Sequence, residues 1–513
     1  MDKKAAIRNI TITTIMQIMI VFCAFLARQQ LIRVLGVEAN GIYALFISIF
    51  SFLSVVELGF AMVITYNLYK PIYNKEYETA TALFYLSRKI FVIIGVFILV
   101  AGLILTPFVP MIAQGNTGEI NIILGYLMFL IGSVIPFFVI YKLAFIDAHK
   151  DTHISSMLRS SAIIFQYIVQ TIILILTGSF IYFVSTILIT NIIYFVLMSL
   201  IFNRRYGHLL IEARPLNSEI KKDVLEKTKA QLFHKIGLLG TNTINNILIS
   251  SIISVIVLGY FSNYILIITA ISNIFSLMFN AIVPVIGHAR QEMSGEQFEK
   301  LFRKIYTIGV VVGIVVFLGY LAVADDLIAL LFGNELVLEQ NVAIIIALNA
   351  FVQFLRRPAL LFRDATGTFY HDRFKPIIEG VLGVSLSILF LNLWGVIGVA
   401  LSALVADIVV NHIIEPYVVY KYQFQMKPKK YYFGNYAIII IFILVGMGFQ
   451  YIPWLNSGNN FMALVINGFT SVLVSIIVIL IIYILNSTFR KTFNELIFFL
   501  VKMIKSKILR KTK

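Results

Sequence analysis

The chain has 513 residues, 60% of them hydrophobic and only 13% charged, with a mean hydropathy of +0.93. Soluble domains average roughly 25% charged residues, and the apolar residues here come in long uninterrupted runs, so a water-soluble globular protein is excluded and lipid is the expected solvent. Forty-one Lys and Arg against 25 Asp and Glu leave a net charge of +16. In a soluble chain that excess would point to nucleic acid; in a membrane chain it asks which side carries the charge.

A membrane-spanning helix needs about 20 apolar residues. In chain order the runs predict fourteen: 10–32, 41–66, 90–112, 120–146, 161–177, 180–202, 231–257, 260–285, 305–324, 341–362, 377–391, 395–416, 433–452 and 461–485. The first follows Lys3, Lys4 and Arg8 as a signal peptide would. It is too long for one and lacks a small-residue cleavage site, so it is read as a retained helix. The one cysteine, Cys23, lies within it and forms no intrachain disulfide.

Alternating the connections between the two sides tests the count. The set beginning with residues 1–9 and ending with 486–513 holds 35 of the 41 basic residues, and the opposite set holds only Arg33. The positive-inside rule then places both termini in the cytoplasm. The outer connections are short, and the longest, 325–340, carries only the acids Asp325, Asp326, Glu335 and Glu339. That leaves no room for catalytic machinery outside, so an integral-membrane polymerase or ligase is disfavoured and no enzyme is expected.

Three short matches indicate an internal repeat. Val34-Leu35-Gly36 pairs with Val257-Leu258-Gly259, each expected at a turn; Arg88-Lys89-Ile90-Phe91 pairs with Arg303-Lys304-Ile305-Tyr306; Phe145-Ile146-Asp147-Ala148 pairs with Phe362-Arg363-Asp364-Ala365. The offsets are 223, 215 and 217 residues. The expected organisation is an N-lobe (1–202), a cytoplasmic linker (203–230), a C-lobe (231–420), two extra helices (421–485) and a basic amphipathic tail (486–513), the tail lying on the anionic inner leaflet.

Charge within the spans is expensive, about 2.5–3.5 kcal/mol per residue even on the lenient insertion scale. The basic residues left over are Arg28, Arg33, Lys142, Lys235, Arg356 and Arg357, with the acids Glu57 and Asp407 near mid-membrane and Glu379 and Glu415 near inner ends. Two readings stand side by side. Arg28, Arg356 and Arg357 pair with Glu57 or Asp407 as structural ion pairs, and the end-placed residues snorkel. Alternatively the cations wall a water-filled cavity suited to an anionic, phosphate-bearing substrate, which Arg grips through its planar fork. Asn242, Asn245 and Asn246 share one helical face, as do Gln166 and Gln170. They line such a cavity or hydrogen-bond between helices. His149 and His153 sit four apart in a cytoplasmic connection without the further ligands of a metal motif, and no metal site is expected.

Arg33-x-Leu35-Gly36-x4-Gly41-x-Tyr43, then Glu57-Leu58-Gly59, with Gly395-x2-Gly398-x-Ala400 later, resembles the polysaccharide-transporter (Wzx-type) oligosaccharide flippases of the multidrug/oligosaccharidyl-lipid/polysaccharide exporter superfamily. The resemblance implies an all-α membrane protein with two six-helix lobes in a V around a cationic cavity. It implies a substrate of oligosaccharide on undecaprenyl pyrophosphate, moved across the bacterial cytoplasmic membrane by alternating access during capsule, O-antigen or exopolysaccharide synthesis. Arg28 best matches the pyrophosphate-binding role, and Lys142, Lys235, Arg356 and Arg357 match by region. No cofactor is implied; Glu57 and Asp407 are candidates for H⁺ or Na⁺ coupling. The implied partners are the lipid-linked substrate, membrane lipids, a polymerase and glycosyltransferases, with no nucleic acid. A lipid II or teichoic-type precursor flippase and a multidrug exporter remain the alternatives.

Overall fold

The computed structural model describes residues 3–57, 60–115, 120–149, 151–212, 242–280, 282–368, 371–449 and 461–509. Among them every element is helical and there is no strand. The first half supplies α1 (Lys3–Leu53), α2 (Phe60–Tyr73), α3 (Tyr77–Leu105), α4 (Ile122–Val134), α5 (Ile140–Ala148), α6 (Thr152–Thr177) and α7 (Phe180–Tyr206). After the linker come α8 (Asn242–Leu248), α9 (Val255–Asn280), α10 (Val283–Glu292), α11 (Gly295–Phe332) and α12 (Gln340–Thr366). The chain closes with α13 (Lys375–Ala406), α14 (His412–Val419), α15 (Lys429–Phe449), α16 (Phe461–Leu485) and α17 (Ser487–Leu509).

Eleven helical runs among the described residues are long and apolar enough to cross a membrane. Each of the fourteen segments expected from hydropathy overlaps a described helix. Two of the three fewer spans come from continuous helices, and the third, expected at 231–257, is described only from residue 242 on, as a short apolar helix, Thr243–Ile253. The run Thr13–Leu53 has 41 residues and Lys375–Phe424 has 50. At 1.5 Å per residue the shorter is about 60 Å long, twice a hydrocarbon core of about 30 Å. Each is broken at a glycine with positive φ, Gly36 (φ 82, ψ 170) and Gly395 (φ 58, ψ −136), a conformation that only glycine adopts at little cost.

The chain divides into two compact units, Met1–Ser262 with Pro376–Leu391, and Asn263–Lys375 with Asn392–Lys513. In the first, α1 packs along α6 and α4 along α7. Its core is aromatic: Phe46 meets Tyr126, Phe129 and Phe180, and Phe84 stacks on Phe202 beside Tyr141 and Phe145. In the second, α11 packs on α12 and α16, and Phe298, Phe302, Phe362, Tyr420 and Phe424 form the corresponding cluster.

α16 shows that lipid is the outer phase. Its buried stripe is Ala463, Asn467, Ser471 and Ser475, four residues apart, while Phe469, Leu473, Ile477 and Ile484 face outward. A helix in water would be patterned the other way round. Asn467 Nδ2 donates to Asp326 Oδ2 at 2.6 Å, and Tyr264 Oη donates to Asp325 Oδ1 at 2.6 Å. The two acids expected in the outer connection 325–340 therefore lie inside α11, with hydrogen-bond partners that make burial tolerable. A second boundary also moves. The turn expected at Val257-Leu258-Gly259 is helix, and the break comes at Ser254 (φ −174, ψ 159), after a π turn over Ile249–Ile253. Gly259 serves close packing instead. A Cβ there would lie 2.5 Å from Val37 O, and one on Gly41 would lie 1.9 Å from Val255 O.

Candidate functional site

The Gly41–Gly259 contact brings the α1 and α9 backbones close together, and polar side chains gather around it. Asn40, fully buried, donates from Nδ2 to Gly259 O at 3.0 Å and to Ser262 Oγ at 3.2 Å. Arg28, two turns before the Gly36 break and half-buried, donates from Nη1 to Ser262 O at 2.8 Å and to Ser262 Oγ at 3.3 Å. Tyr43 and Tyr167 lie within electrostatic reach of Arg28. Arg28 is thereby tied to Ser262 on α9, with two tyrosines beside it.

Tyr167 stands on α6 between Gln166 and the buried Gln170. Gln166 lines a cavity of about 430 Å³ within the first unit, shared with Glu57, Asn191, Tyr194, Asp147 and Arg159. Two residues singled out for different roles, Glu57 for ion coupling and Gln166 for polar lining, therefore meet in one chamber. Asp147 in its wall accepts a hydrogen bond from Ser155 Oγ.

The asparagine face of α8 is put to interhelical use. Asn245 Oδ1 accepts from Ser387 Oγ at 2.6 Å, and Asn246 Nδ2 donates to Ser48 Oγ at 3.0 Å. Lys235 and the side chain of Asn242 lie outside the described residues. Lys142 donates to Ser199 Oγ at 2.8 Å and sits over the Phe202 ring, near Arg88.

In the second unit the charges condense. Arg356 grips Glu415 with two parallel bonds, Nε to Oε2 at 2.9 Å and Nη2 to Oε1 at 2.8 Å, and reaches Asp407 Oδ1 from Nη1 at 3.0 Å. Arg363, one of the largest fully buried side chains, bonds Asp372 at 2.9 Å and Asp364 at 3.0 Å and approaches Glu415 at 3.5 Å. Lys375 also bonds Glu415. Three cations thus converge on one fully buried carboxylate. Asn411 donates to Asp407. His412, next in sequence, sits in a chain of neutral bonds: Asn435 Nδ2 donates to its Nδ1 at 2.9 Å, so Nε2 carries the proton given to Val352 O at 3.1 Å. Arg357, adjacent to Arg356 on α12, is half-buried.

The local backbone explains this crowding. Asp407–Asn411 and Tyr420–Phe424 are π turns on either side of α14, and Pro416 follows Glu415. Such turns widen a helix and release carbonyls. Tyr432 and Tyr436 on α15 take up two nearby, donating to Ile413 O at 2.6 Å and Ile408 O at 3.2 Å. Asp407, for which both pairing and ion coupling stood open, is in an ion pair with Arg356. Glu415, Arg363, Asp372, Lys375 and His412 were not in the sequence-derived site. The signal was present: Asp407, Asn411 and Glu415 are spaced i, i+4, i+8, and Arg356 and Arg363 i, i+7, two complementary helical stripes.

These features belong to a multi-pass helical membrane protein. The sequence matches no family model and no curated relative. Its fold is similar to that of solved transporters of the MOP superfamily. An inward-facing multidrug resistance MATE family transporter of that superfamily aligns with a TM-score of 0.63 at 16% identity, over 84% of this chain and 98% of the other. Lipid II flippase MurJ in an inward closed conformation aligns with a TM-score of 0.62 at 14% identity, over 92% and 98%. A MOP superfamily transporter from Pyrococcus furiosus, described as having a binding pocket of reverse polarity that suggests a different function, aligns at 0.54 and 16% identity, over 80% and 94%.

Proposed function

We propose that the protein is a flippase for undecaprenyl-pyrophosphate-linked oligosaccharides, moving them across the bacterial cytoplasmic membrane during synthesis of a cell-surface polysaccharide. The observation that carries this reading is the position of Arg28, a half-buried guanidinium within a membrane helix that bonds Ser262 and stands close to Tyr43 and Tyr167. Arg356 is held by Asp407 and Glu415. A membrane protein keeps such a cation for an anion, and the planar fork suits pyrophosphate. Arg357 and Lys235 add positive charge, and Gln166 and Gln170 supply donors and acceptors for sugar hydroxyls. The fold shared with a lipid II flippase fits a lipid-linked substrate.

In this reading residues 1–202 and 231–420 act as two lobes of a fourteen-helix carrier with both termini in the cytoplasm. The anionic head enters from that side, the lobes rock, and the sugar leaves outside. Each negative charge moved outward gains about 2.3 kcal/mol per 100 mV of membrane potential. Glu57, in its 430 Å³ chamber with Asp147, binds H⁺ or Na⁺ and resets the cycle.

The acids of that chamber also favour a second reading, export of cationic drugs, in keeping with the fold shared with a multidrug transporter. Deleting the gene and scoring both phenotypes separates the two. The flippase reading expects lipid-linked oligosaccharide to accumulate inside and drug sensitivity to stay unchanged. Drug sensitivity without accumulation establishes the exporter.

A further inference from the structure

A second cavity, of about 450 Å³, lies on a different face of the first unit, lined by Arg88, Val92, Ile135, Phe138, Tyr141, Ile192 and Phe195. It exists because Pro136 interrupts the helix between α4 and α5. The chain there forms a 3₁₀ turn over Ile135–Phe138, with Val139 at φ −130. Pro136 cannot donate a backbone bond, and the tightened turn sends the Phe138 ring toward α3. Gly95 accommodates it, since a Cβ there would already lie 3.2 Å from the ring. The walls are apolar and exposed: Val92 is 37% and Ile192 46% accessible.

One end of the groove is different in kind. Arg88 is exposed one helical turn before Val92. Lys142 stands within its electrostatic reach, fixed by the bond to Ser199 Oγ at 2.8 Å. Ser199 is one turn beyond Phe195 on α7, so Ile192, Phe195 and Ser199 form a continuous stripe leading to the two cations. Lys142, beside the groove-lining Tyr141, feels the like charge of Arg88, and an anion near both relieves that repulsion. Tyr141, whose ring lies 5.9 Å from Lys142 Nζ, adds an aromatic wall at the same end.

We propose that this groove is a binding site for one anionic glycerophospholipid. Its phosphodiester sits between Arg88 and Lys142, and one acyl chain runs along Val92, Phe138, Ile192 and Phe195. The occupant follows from charge complementarity and from the outward-facing walls: a groove open to the bilayer, apolar along its length and dicationic at one end, matches a lipid with a negative headgroup and an apolar tail. The site is separate from Arg28 and does not depend on the flippase reading.

The test is native mass spectrometry of the detergent-purified protein titrated with palmitoyl-oleoyl phosphatidylglycerol or the matching phosphatidylcholine. The proposal predicts one tightly retained phosphatidylglycerol, with phosphatidylcholine weaker. Arg88→Gln weakens phosphatidylglycerol binding about fivefold and Arg88→Gln with Lys142→Gln about 25-fold, because each basic residue near a headgroup contributes on that scale. Ile192→Trp, which fills the groove and leaves both charges, also removes the bound lipid. Lys89→Gln, an exposed charge on the same helix that does not line the groove, leaves binding unchanged. Equal retention of the two lipids, or equal losses from Lys89→Gln and Arg88→Gln, overturns the proposal.

Discussion

Replacing Glu415 by glutamine changes little volume but removes the charge on which Arg356, Arg363 and Lys375 converge. All four side chains are buried: Glu415 is 0% exposed, Lys375 1%, Arg363 2% and Arg356 13%. Burying these groups is tolerable only while the charges neutralise one another, and breaking a buried pair by removing one partner costs about 3–5 kcal/mol. Glu415→Gln removes the one carboxylate shared by all three cations, leaving Arg356 to Asp407 and Arg363 to Asp372 and Asp364, while Lys375 loses its bond to Glu415. At about 2 °C per kcal/mol for a large domain, the melting temperature in detergent should fall by about 6–10 °C. Combining Glu415→Gln with Lys375→Met also removes a cation that bonded Glu415. The double variant should then melt higher than additivity predicts, by a coupling of about 1–3 kcal/mol. The assay is tryptophan-independent: loss of the monodisperse peak on size exclusion after heating. A Glu415→Gln protein that melts within a degree of the wild type would refute the reasoning, because the network would then be solvated and of little structural consequence.

Two further substitutions probe the packing. Gly41→Ala forces a Cβ onto Val255 O, so it should cost about 1–3 kcal/mol as overpacking. Gly434→Ala, with nothing within 4 Å of the added atom, should be neutral or slightly stabilising in α15; equal melting of the two variants would count against the α1–α9 contact. Asn467→Ala removes the bond to Asp326 between α16 and α11. It should destabilise by roughly 1 kcal/mol, near the average for polar pairs between membrane helices, and a double-mutant cycle with Asp326→Asn should recover most of that loss as coupling.

Much of the architecture could be read from the residues because lipid imposes a simple rule. A crossing helix must be apolar and long enough to satisfy its own backbone, so the run 461–485 and the helix Phe461–Leu485 coincide. Side-chain partnerships were harder, since they depend on which helices meet. Arg356 admitted both an ion pair and a substrate contact until α12 and α14 were seen side by side, with Asp407 and Glu415 facing it. Glu415 and Glu379 read as interface residues by depth alone, yet both are buried. Gly259 looked like a turn because glycine commonly marks one; only its contact with the Val37 carbonyl shows that close packing is the reason for it. Gln166 and Glu57, far apart in the chain, gave no hint that they share a cavity. Arg28 differs from all of these: an arginine 18 residues past the start of the apolar run 10–32 is costly in lipid, and it was legible as a candidate from the outset.

The central claim is that Arg28 engages the pyrophosphate of a lipid-linked oligosaccharide during translocation. The direct measurement is reconstitution of the protein in proteoliposomes with an undecaprenyl-pyrophosphate-linked oligosaccharide in one leaflet, followed by the rate at which the sugar becomes accessible to a glycosidase on the other side. The account predicts movement by the wild type and a rate reduced about 10- to 100-fold by Arg28→Ala, the loss of one charge-assisted pair of about 1.5–3 kcal/mol. Arg28→Lys should retain part of the rate, because it keeps the charge but loses the fork. An Arg28→Ala protein that moves the substrate at the wild-type rate, or a wild type that moves none, would contradict it.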